Sequence, residues 1–214
     1  MKYVGIVFDL DGTLIDTLAD LSAAMNAAMR KLGLPEHSPE DCRQMIGNGI
    51  RTFASRAVGP NHQHQVARAI ELMRDEYQRN LVVHSRIYEG LAEVIERFAA
   101  AGVRMGVITN KHQKEAVTII RHFFGNRMAS VAGVSEVTPV KPDPMGTLRV
   151  LRQMGLLPSQ ALFVGDSDVD IETARRAGMA FLGVGWGFRG RQALAEAGAA
   201  DIIDHPDELW AFVA

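Results

Sequence analysis

Two aspartates spaced two residues apart follow an apolar run near the start of the chain. The segment VFDLDGTLIDT, residues 7–17, contains Asp9, Asp11 and then Gly12. In an extended chain, side chains two residues apart face the same way, so the two carboxylates should converge. Gly12 lets the backbone turn sharply beside them. Because two carboxylates a few ångströms apart cannot both stay ionised without a compensating cation or a shared proton, this spacing predicts a cation site at a strand end.

Three later strand ends in the sequence also carry polar residues. The first ends in Thr109, Asn110 and Lys111, which offer a hydroxyl and amide donors; the second leads to Lys141 in KPDP; the third ends in GDSDVD, residues 165–170. Ligands of open α/β sheets bind at the carboxyl ends of the strands. Four acids, a hydroxyl and a lysine gathered there predict a site for a hard cation and a phosphate group.

Mg²⁺ is the cation that this set of residues favours. It prefers oxygen ligands from one or two carboxylates, substrate phosphate and water, and no cluster of His or Cys indicates zinc. We expect Asp9 and Asp166 to bind it through their side chains and Asp11 through its carbonyl group. Asp170, with Ser167 beside it, is expected to orient water molecules behind these ligands.

The phosphate group needs donors and a positive charge. Lys141 is predicted to offset the remaining negative charge and to hold the transferring phosphoryl group. Thr109, Asn110 and main-chain N–H groups near Gly12 are expected to assist it.

The elements that must position these residues follow the alternation of strand and helix that is typical of a doubly wound sheet. The first strand, residues 4–8, is apolar on both faces and so is expected at the centre of a parallel sheet. Helical spacing of apolar residues then predicts an all-helical stretch before the alternation resumes at about residue 89. The predicted fold class is therefore α/β, with a core domain at 1–15 and 84–214 and an inserted α-helical cap domain at 16–83.

Other polar residues near these elements are expected to have only structural roles. Thr17 and Asp20 are spaced as a capping pair for the first helix of the inserted block. Asp16 and Asp168 are expected to be helix caps or solvated acids, and they are not counted as catalytic.

Aromatic and histidine side chains give weaker signals. His62 and His64 have no third metal ligand nearby in the sequence, so a solvated face is the expected place for them. Tyr77 stands at helical spacing with apolar residues and is expected to pack inside the cap. Trp186 and Phe188 follow the fifth strand of the alternation, where they either edge the cleft or, as is preferred, lie in a surface loop.

The composition excludes several classes of partner. The chain has 23 basic and 25 acidic residues and no basic run, so neither nucleic acid nor an anionic membrane surface is favoured. Cys42 is the single cysteine, which excludes an intrachain disulfide and fits a reducing compartment. No apolar span approaches membrane length. We expect a soluble, cytoplasmic monomer or homodimer whose partner is a small phosphorylated metabolite.

The segments DLDGTLIDT, ITN, KPDP and GDSDVD, in this order, resemble the four motifs of the haloacid dehalogenase superfamily. The resemblance is to its Mg²⁺-dependent phosphatase branch, with a helical cap inserted after the first motif, and it covers essentially the whole chain. Within that branch, the runs VGDSDVDIETARRAGM and IGNGIRTF are similar to phosphoglycolate phosphatases. The resemblance therefore implies a phosphatase whose substrate is a small phosphomonoester, with 2-phosphoglycolate as the preferred candidate.

This resemblance also implies roles for the first two aspartates. Asp9 would attack phosphorus and become an aspartyl phosphate. Asp11 would protonate the leaving alcohol and then take a proton from the attacking water. The dehalogenating branch has no acid in the place of Asp11, and the phosphonoacetaldehyde hydrolases need a cap lysine, whereas Lys31 is better explained as a charge at a helix C-terminus.

The cap residues and the rival functions stay more open. Arg51, together with Asn48, is a candidate for contacting a carboxylate of the substrate, although a solvent-facing arginine explains Arg51 equally well. The rival enzymes are a sugar phosphomutase similar to β-phosphoglucomutase, a pyrophosphatase and a nucleotidase. A receiver-like signalling module is the rival of another class, and the inserted cap and Asp11 argue against it.

Overall fold

A six-stranded parallel sheet forms the centre of the protein, as seen in a computed structural model that describes residues 3–213. The strands along the chain are β1 (Gly5–Phe8), β2 (Ile15–Asp16), β3 (Arg86–Ile87), β4 (Arg104–His112), β5 (Ser130–Val134), β6 (Ala161–Gly165), β7 (Ala180–Val184) and β8 (Ile202–Ile203). Six of these strands form the central sheet, in the order β5, β4, β1, β6, β7, β8, and β2 and β3 form a separate pair. The first strand is therefore central, and the predicted α/β fold with a doubly wound sheet is confirmed.

Helices cover both faces of this sheet. They are α5 (Leu91–Ala100), α6 (Gln113–Phe124), α7 (Met145–Met154), α8 (Asp168–Ala177), α9 (Gly190–Glu196) and α10 (Trp210–Val213). Ile6 and Phe8 of β1 pack with residues of α5 and α6 on one face, and Val7 packs with α7 and α8 on the other. All three side chains are fully buried, which explains why this strand is apolar at every position.

Four helices lie between the first strand and the rest of the sheet: α1 (Leu18–Leu32), α2 (Pro39–Met45), α3 (Ile50–Val58) and α4 (Val66–Arg79). We call α1–α4 the cap. Its helices enclose a hydrophobic cluster of their own, which includes Met25, Met29, Phe53 and Tyr77. One member of this cluster, Phe188, comes from the loop after β7. The cap therefore has a separate interior that is completed by a ring from the sheet domain.

The two connections to the cap pair with each other, because β2 and β3 form a short antiparallel ladder. Beside this ladder, the buried carboxylate of Asp20 accepts hydrogen bonds from the main-chain N–H groups of His84 and Ser85 and from the Ser85 hydroxyl. Helix α1 does begin after Thr17 as predicted, but the prediction that Thr17 and Asp20 form a capping pair there is wrong. The Thr17 side chain makes no capping hydrogen bond, and Asp20 instead ties α1 to the returning chain.

Some elements differ from the predicted ones. β4 runs on through Lys111 to His112, beyond the expected strand end at Asn110. Helix α9 was not predicted, because Leu194 is its only buried residue and gives no periodic pattern. Among the described residues, no helix combines the length and the apolar character that crossing a bilayer requires.

Candidate active site

Asp9 lies directly after β1, at the carboxyl edge of the sheet. Its main-chain N–H donates to the carbonyl of Val164 on the neighbouring strand β6, which continues the sheet pairing as far as this residue. Its buried carboxylate lies 2.7 Å from the ammonium group of Lys141, measured from Oδ1 to Nζ. The central strand thus delivers an acid to the position where ligands of such sheets bind.

Lys141 joins three of the predicted site segments. Its Nζ also donates to Oδ1 of Asp170 at 2.7 Å, and its main-chain N–H donates to the Asn110 side chain at 2.7 Å. Burial alone would lower the pKa of Lys141, but Asp170 and Asp9 raise it above its ordinary value. Lys141 therefore remains a buried cation between two acids.

Asp166 and Asp170 follow β6 at the start of α8. The side chains of Ser167 and Asp170 form a capping box, in which each accepts a hydrogen bond from the main-chain N–H of the other. Asp170 thus starts the helix while its second oxygen pairs with Lys141. Asp166 accepts from the main-chain N–H of Phe188 at 2.7 Å.

Asp9, Asp166 and Asp170 form a buried acid cluster. One carboxylate oxygen from each lies within 4.8 Å of the others. Burial raises the pKa of Asp9 well above its ordinary value, against the lowering effect of Lys141. Burial and the neighbouring Asp170 raise the pKa of Asp166 to about 7. One lysine therefore does not compensate three acids, and the oxygen donors suit a hard divalent cation.

Asp11 does not belong to this cluster. Its Oδ1 accepts a hydrogen bond from the Thr17 hydroxyl at 2.6 Å and lies 3.1 Å from Nζ of Lys111. The ammonium group of Lys111 also lies 2.8 Å from the hydroxyl of Tyr77 on α4. The two aspartates expected to converge thus share the site, but their carboxylates have different cations and different neighbours.

The other predicted phosphate contacts lie around the acids. Thr109 is buried on β4, and its hydroxyl accepts from the main-chain N–H of Lys111. Gly12 has a φ of +87°, and a Cβ atom there would lie 2.4 Å from Oδ2 of Asp166. A side chain at residue 12 would therefore push into the acid cluster.

The cap closes the site into a cavity of about 180 Å³. Asn48 and the exposed side chain of Arg51 line it from the cap, as sequence analysis expected, and Arg74 of α4 lines it as well. Among residues 3–213, neither arginine forms an ion pair within 4.0 Å. Two arginines without a direct ion pair within that range therefore line the cavity from the cap, and the charge of Arg74 acts on Glu115 of α6 at longer range.

Direct hydrogen bonds connect the sheet domain to the loop after α2. The Asn110 amide donates to the carbonyl of Gly47 at 3.1 Å. Arg189 donates to the carbonyls of Arg43 and Ile46. The preferred expectation that Trp186 and Phe188 lie in a surface loop is wrong, whereas the alternative, a place at the edge of the cleft, holds for Phe188, which lines the cavity. Phe188 is buried in the cap cluster, and the Trp186 indole N–H donates to the carbonyl of Thr13.

Sequence analysis gave no functional role to Tyr77, Glu115 and Arg189, which line the cavity, and it named Lys111 only as one of the polar residues at a strand end. The signal for Lys111 was available, because it stands two residues after Thr109 on an extended strand and so shares its side. Tyr77 and Arg189 meet the site only through the packing of the cap on the sheet. No local pattern in the sequence indicates that packing.

A model of the haloacid dehalogenase-like hydrolase family matches residues 6–184. The chain belongs to this family. This hydrolase is 34% identical over 212 residues to an N-acetylmuramic acid 6-phosphate phosphatase of Pseudomonas aeruginosa, with 98% of this chain and 94% of the relative covered. It is 36% identical over 214 residues to a phosphoglycolate phosphatase of Mesorhizobium japonicum, with 95% and 92% covered.

The fold of this haloacid dehalogenase-like hydrolase also matches a solved structure. The crystal structure of a predicted phosphoglycolate phosphatase from Haemophilus somnus 129PT has a TM-score of 0.91 at 29% identity, covering 100% of this chain and 99% of that one. The matches cover nearly the whole length of two phosphatases, which identifies this family member as a phosphatase of small phosphorylated substrates.

Proposed function

We propose that this phosphatase hydrolyses a small phosphomonoester that carries a carboxylate, with Asp9 as the nucleophile, Asp11 as the general acid and base, and Mg²⁺ as the cofactor. The observation that carries the proposal is the separation of the two neighbouring acids. Asp9 pairs with Lys141 inside the acid cluster, whereas Asp11 is held apart from it by Thr17 and Lys111. In this proposal the cap comprises residues 16–83, and residues 1–15 and 84–214 form the core domain.

The chemistry divides between the two acids in two balanced steps. In the first, a carboxylate oxygen of Asp9 bonds to phosphorus while the ester P–O bond breaks, and Asp11 gives its proton to the leaving oxygen, which departs as an alcohol. In the second, water bonds to phosphorus and gives its proton to Asp11 while the bond from Asp9 to phosphorus breaks. Phosphate leaves, and both acids return to their starting states.

The residues around Asp9 fit the proposed cofactor. Asp9 and Asp166 would hold Mg²⁺ through their carboxylates, together with the carbonyl of Asp11, and Asp170 with Ser167 would orient its water ligands. When bound, Mg²⁺ neutralises the acids and the negative charge of the phosphoryl group. Lys141 adds a fixed positive charge next to Asp9.

The phosphoryl oxygens need further donors. We propose that Thr109, Asn110 and the main-chain N–H groups near Gly12 supply them. Thr109 and Asn110 line the cavity beside Asp9 and Lys141. Gly12 has no side chain at the same edge, so the main chain there can come close to a phosphate. Its own N–H donates to the carbonyl of Ile15, so the donors would be other main-chain N–H groups beside it.

The cap residues that line the cavity favour a substrate that carries a carboxylate. Arg51 and Asn48 line the cavity, and the arginine has no acidic partner of its own among residues 3–213. Glycolate and muramic acid, the parent acids of the compounds in the relatives' names, both carry a carboxylate. The cavity of about 180 Å³ is smaller than the roughly 300–1,000 Å³ typical of sites for drug-sized ligands. This size favours 2-phosphoglycolate.

N-acetylmuramic acid 6-phosphate is a second candidate substrate, favoured by the relative from Pseudomonas aeruginosa that covers the chain almost from end to end. The cap would have to sit farther from the sheet to admit this amino sugar.

A phosphate-release assay over a panel of esters tests the proposal. The panel includes both candidates, glucose 1-phosphate, pyrophosphate and a nucleotide, each with Mg²⁺ and with EDTA. We expect Mg²⁺-dependent release that is greatest for 2-phosphoglycolate, and a loss of at least about 10⁴-fold for Asp9→Asn. Isomerised sugar phosphate without free phosphate would instead indicate a phosphomutase. Full activity of Asp9→Asn would refute the proposed nucleophile.

A further inference from the structure

Lys111 is a buried cation that the chemistry above does not use. It stands near the end of β4, and its side chain is 3% exposed. Its ammonium group lies 3.1 Å from Oδ1 of Asp11 and 2.8 Å from the hydroxyl of Tyr77. A buried lysine loses its hydration and the rotational freedom of its long side chain, so such a position needs compensating contacts. Asp11 and Tyr77 provide them.

The contacts of Asp11 are all on one of its two oxygens. Oδ1 accepts from Thr17 at 2.6 Å and pairs with Lys111, whereas Oδ2 has no hydrogen-bond partner among residues 3–213. Because the carboxyl group is planar, fixing Oδ1 between two donors also fixes the direction of Oδ2. Asp11 lines the cavity. The free oxygen is therefore available for proton transfer, and its direction is set by Thr17 and Lys111.

Tyr77 holds Lys111 from the cap side. The tyrosine is on α4 and only 3% exposed, and Lys111 is the only hydrogen-bond partner of its hydroxyl within the described part of the chain. The ammonium nitrogen also lies 4.5 Å from the centroid of the Tyr77 ring, a favourable cation–π distance. A residue of the cap thus fixes a lysine of the sheet in two ways.

The lysine keeps its charge in this position. Burial alone would lower the pKa of Lys111, but Asp11 and Tyr77 raise it above its ordinary value, and Glu115 of α6 acts in the same direction. Burial raises the pKa of Tyr77 to about 12, so its hydroxyl stays neutral. The contact between Lys111 and Asp11 is therefore an ion pair whenever Asp11 is ionised.

We propose that Lys111 is a positioning residue for Asp11, and that Tyr77 holds Lys111 where this requires it. The inference rests on the proposed function, in which Asp11 is the general acid and base. The acid would then be correctly placed only when α4 packs against β4. Lys111 differs in this from Lys141, which contacts Asp9 and does not contact Asp11.

This proposal makes a prediction that depends on the leaving group. A general acid matters most when the departing oxygen is strongly basic and little when it leaves readily as an anion. The ratio kcat/KM reports the steps up to departure of the leaving group. Loss of Lys111 should therefore lower kcat/KM for phenyl phosphate far more than for 2,4-dinitrophenyl phosphate. A lysine that only stabilised the fold would lower both equally.

The experiment compares Lys111→Met and Tyr77→Phe with two control variants on these two esters. We expect Lys111→Met to lower kcat/KM for phenyl phosphate by about 10- to 100-fold and for the dinitrophenyl ester by less than about threefold. Tyr77→Phe should show the same selectivity at about three- to tenfold. Lys114→Met, at an exposed position on α6, and Tyr88→Phe, whose hydroxyl has no hydrogen-bond partner among the described residues, should change neither value.

The ratio of the two values within one variant does not depend on how much of the protein is folded, so a destabilised variant still gives a result. An equal loss on both esters, or no loss, for Lys111→Met would overturn the proposal. An unselective Tyr77→Phe would overturn the part that concerns Tyr77. Asp11→Asn is measured beside them. If Asp11→Asn itself is unselective, the proposed role of Asp11 fails; if it is selective and Lys111→Met is not, only the positioning role fails.

Discussion

The guanidinium group of Arg189 donates a hydrogen bond to the carbonyl oxygen of Arg43 at 2.9 Å, and a second one to the carbonyl of Ile46. Arg189 belongs to the sheet domain, and both carbonyls belong to the last turn of α2 and the residue after it. The end of a helix presents unpaired carbonyls and a partial negative charge. The Arg189 cation therefore pairs with free carbonyl groups at the end of α2, where the cap residues that line the cavity begin.

Replacing Arg189 by methionine should loosen this loop. Hydrogen bonds to a charged donor are worth roughly 1.5–3 kcal/mol each, so we expect faster hydrogen exchange at residues 46–54 and a KM raised by about tenfold. Mass spectrometry of exchange and steady-state kinetics measure the two effects. Arg191→Met is the control, because Arg191 pairs with Asp204 on the surface. Unchanged exchange at residues 46–54 would contradict the role given to Arg189.

Arg51→Ala should raise KM for 2-phosphoglycolate by about 10- to 100-fold, because a charged hydrogen bond to the carboxylate is lost. KM for phenyl phosphate, which has no carboxylate, should change by less than about threefold. Arg68→Ala removes an arginine that pairs with Glu71 on the exposed face of α4, and it should affect neither substrate. Equal effects of Arg51→Ala on both esters would mean that Arg51 does not read the carboxylate.

Magnesium binding should weaken as the pH falls through 7. The pKa of Asp166 is raised to about 7 in the metal-free protein, so below that pH the carboxyl group carries a proton that the cation must displace. The apparent Kd for Mg²⁺ should rise by up to ~10-fold per pH unit below 7. Calorimetry at pH 6 and pH 8 measures the Kd. Asp168→Asn, at an exposed position, is the control and should keep the same dependence of the Kd on pH. The same Kd at both values would argue against a protonated Asp166.

The metal-free protein should show the opposite trend in its stability. The folded pKa of Asp166 lies above the unfolded value of 3.8, so the folded state binds this proton more tightly. Its contribution to the free energy of unfolding therefore increases as the pH falls from about 7 toward 4. Urea denaturation in EDTA should show that this contribution is missing from Asp166→Asn. A slope with pH that is the same in the wild type and the variant would refute it.

Gly12→Ala should damage the metal site, and Gly198→Ala should not. Both glycines have a positive φ, +87° and +93°, so both substitutions carry a backbone strain of about 1 kcal/mol. Only the Cβ at residue 12 would meet Asp166, at 2.4 Å, whereas nothing lies within 4 Å at residue 198. We expect Gly12→Ala alone to lower Mg²⁺ affinity by tenfold or more, about 1.4 kcal/mol. Equal affinities of the two variants would exclude crowding of the acid cluster.

Asp20→Ala should lower the free energy of unfolding by about 2–4 kcal/mol, because it leaves the buried N–H and hydroxyl groups of Ser85 and the N–H of His84 without their acceptor. Asp75→Ala, at an exposed position on α4, is the matched control and should cost less than about 0.5 kcal/mol. A loss below 1 kcal/mol for Asp20→Ala would show that the connection does not need this carboxylate.

The sequence predicted the sheet and the acid cluster because both depend on short-range patterns. The apolar run of β1 and the polar residues at strand ends are read directly from spacing, and parallel strands necessarily bring those ends to one edge. The same argument named Lys111 at the end of β4 but did not assign its contact with Asp11.

The remaining errors concern contacts between distant segments. Thr17 and Asp20 have the spacing of a capping pair, but the Thr17 hydroxyl donates to Asp11, six residues earlier, and the Asp20 carboxylate accepts from Ser85, 65 residues later. Phe188 follows two glycines, Gly185 and Gly187, and its sequence context is that of a loop residue. Its burial depends on a cap that is more than a hundred residues away in the chain.

The ring of Phe188 inside the cap cluster limits how freely caps can be exchanged within this family. If helices α1–α4 of this protein are replaced by those of a relative, the hydrophobic cluster of the new cap fits the side chain that the relative has at the position of Phe188. Grafts onto this scaffold should therefore succeed when residue 188 travels with the transplanted helices, and give poorly packed hybrids when it stays behind.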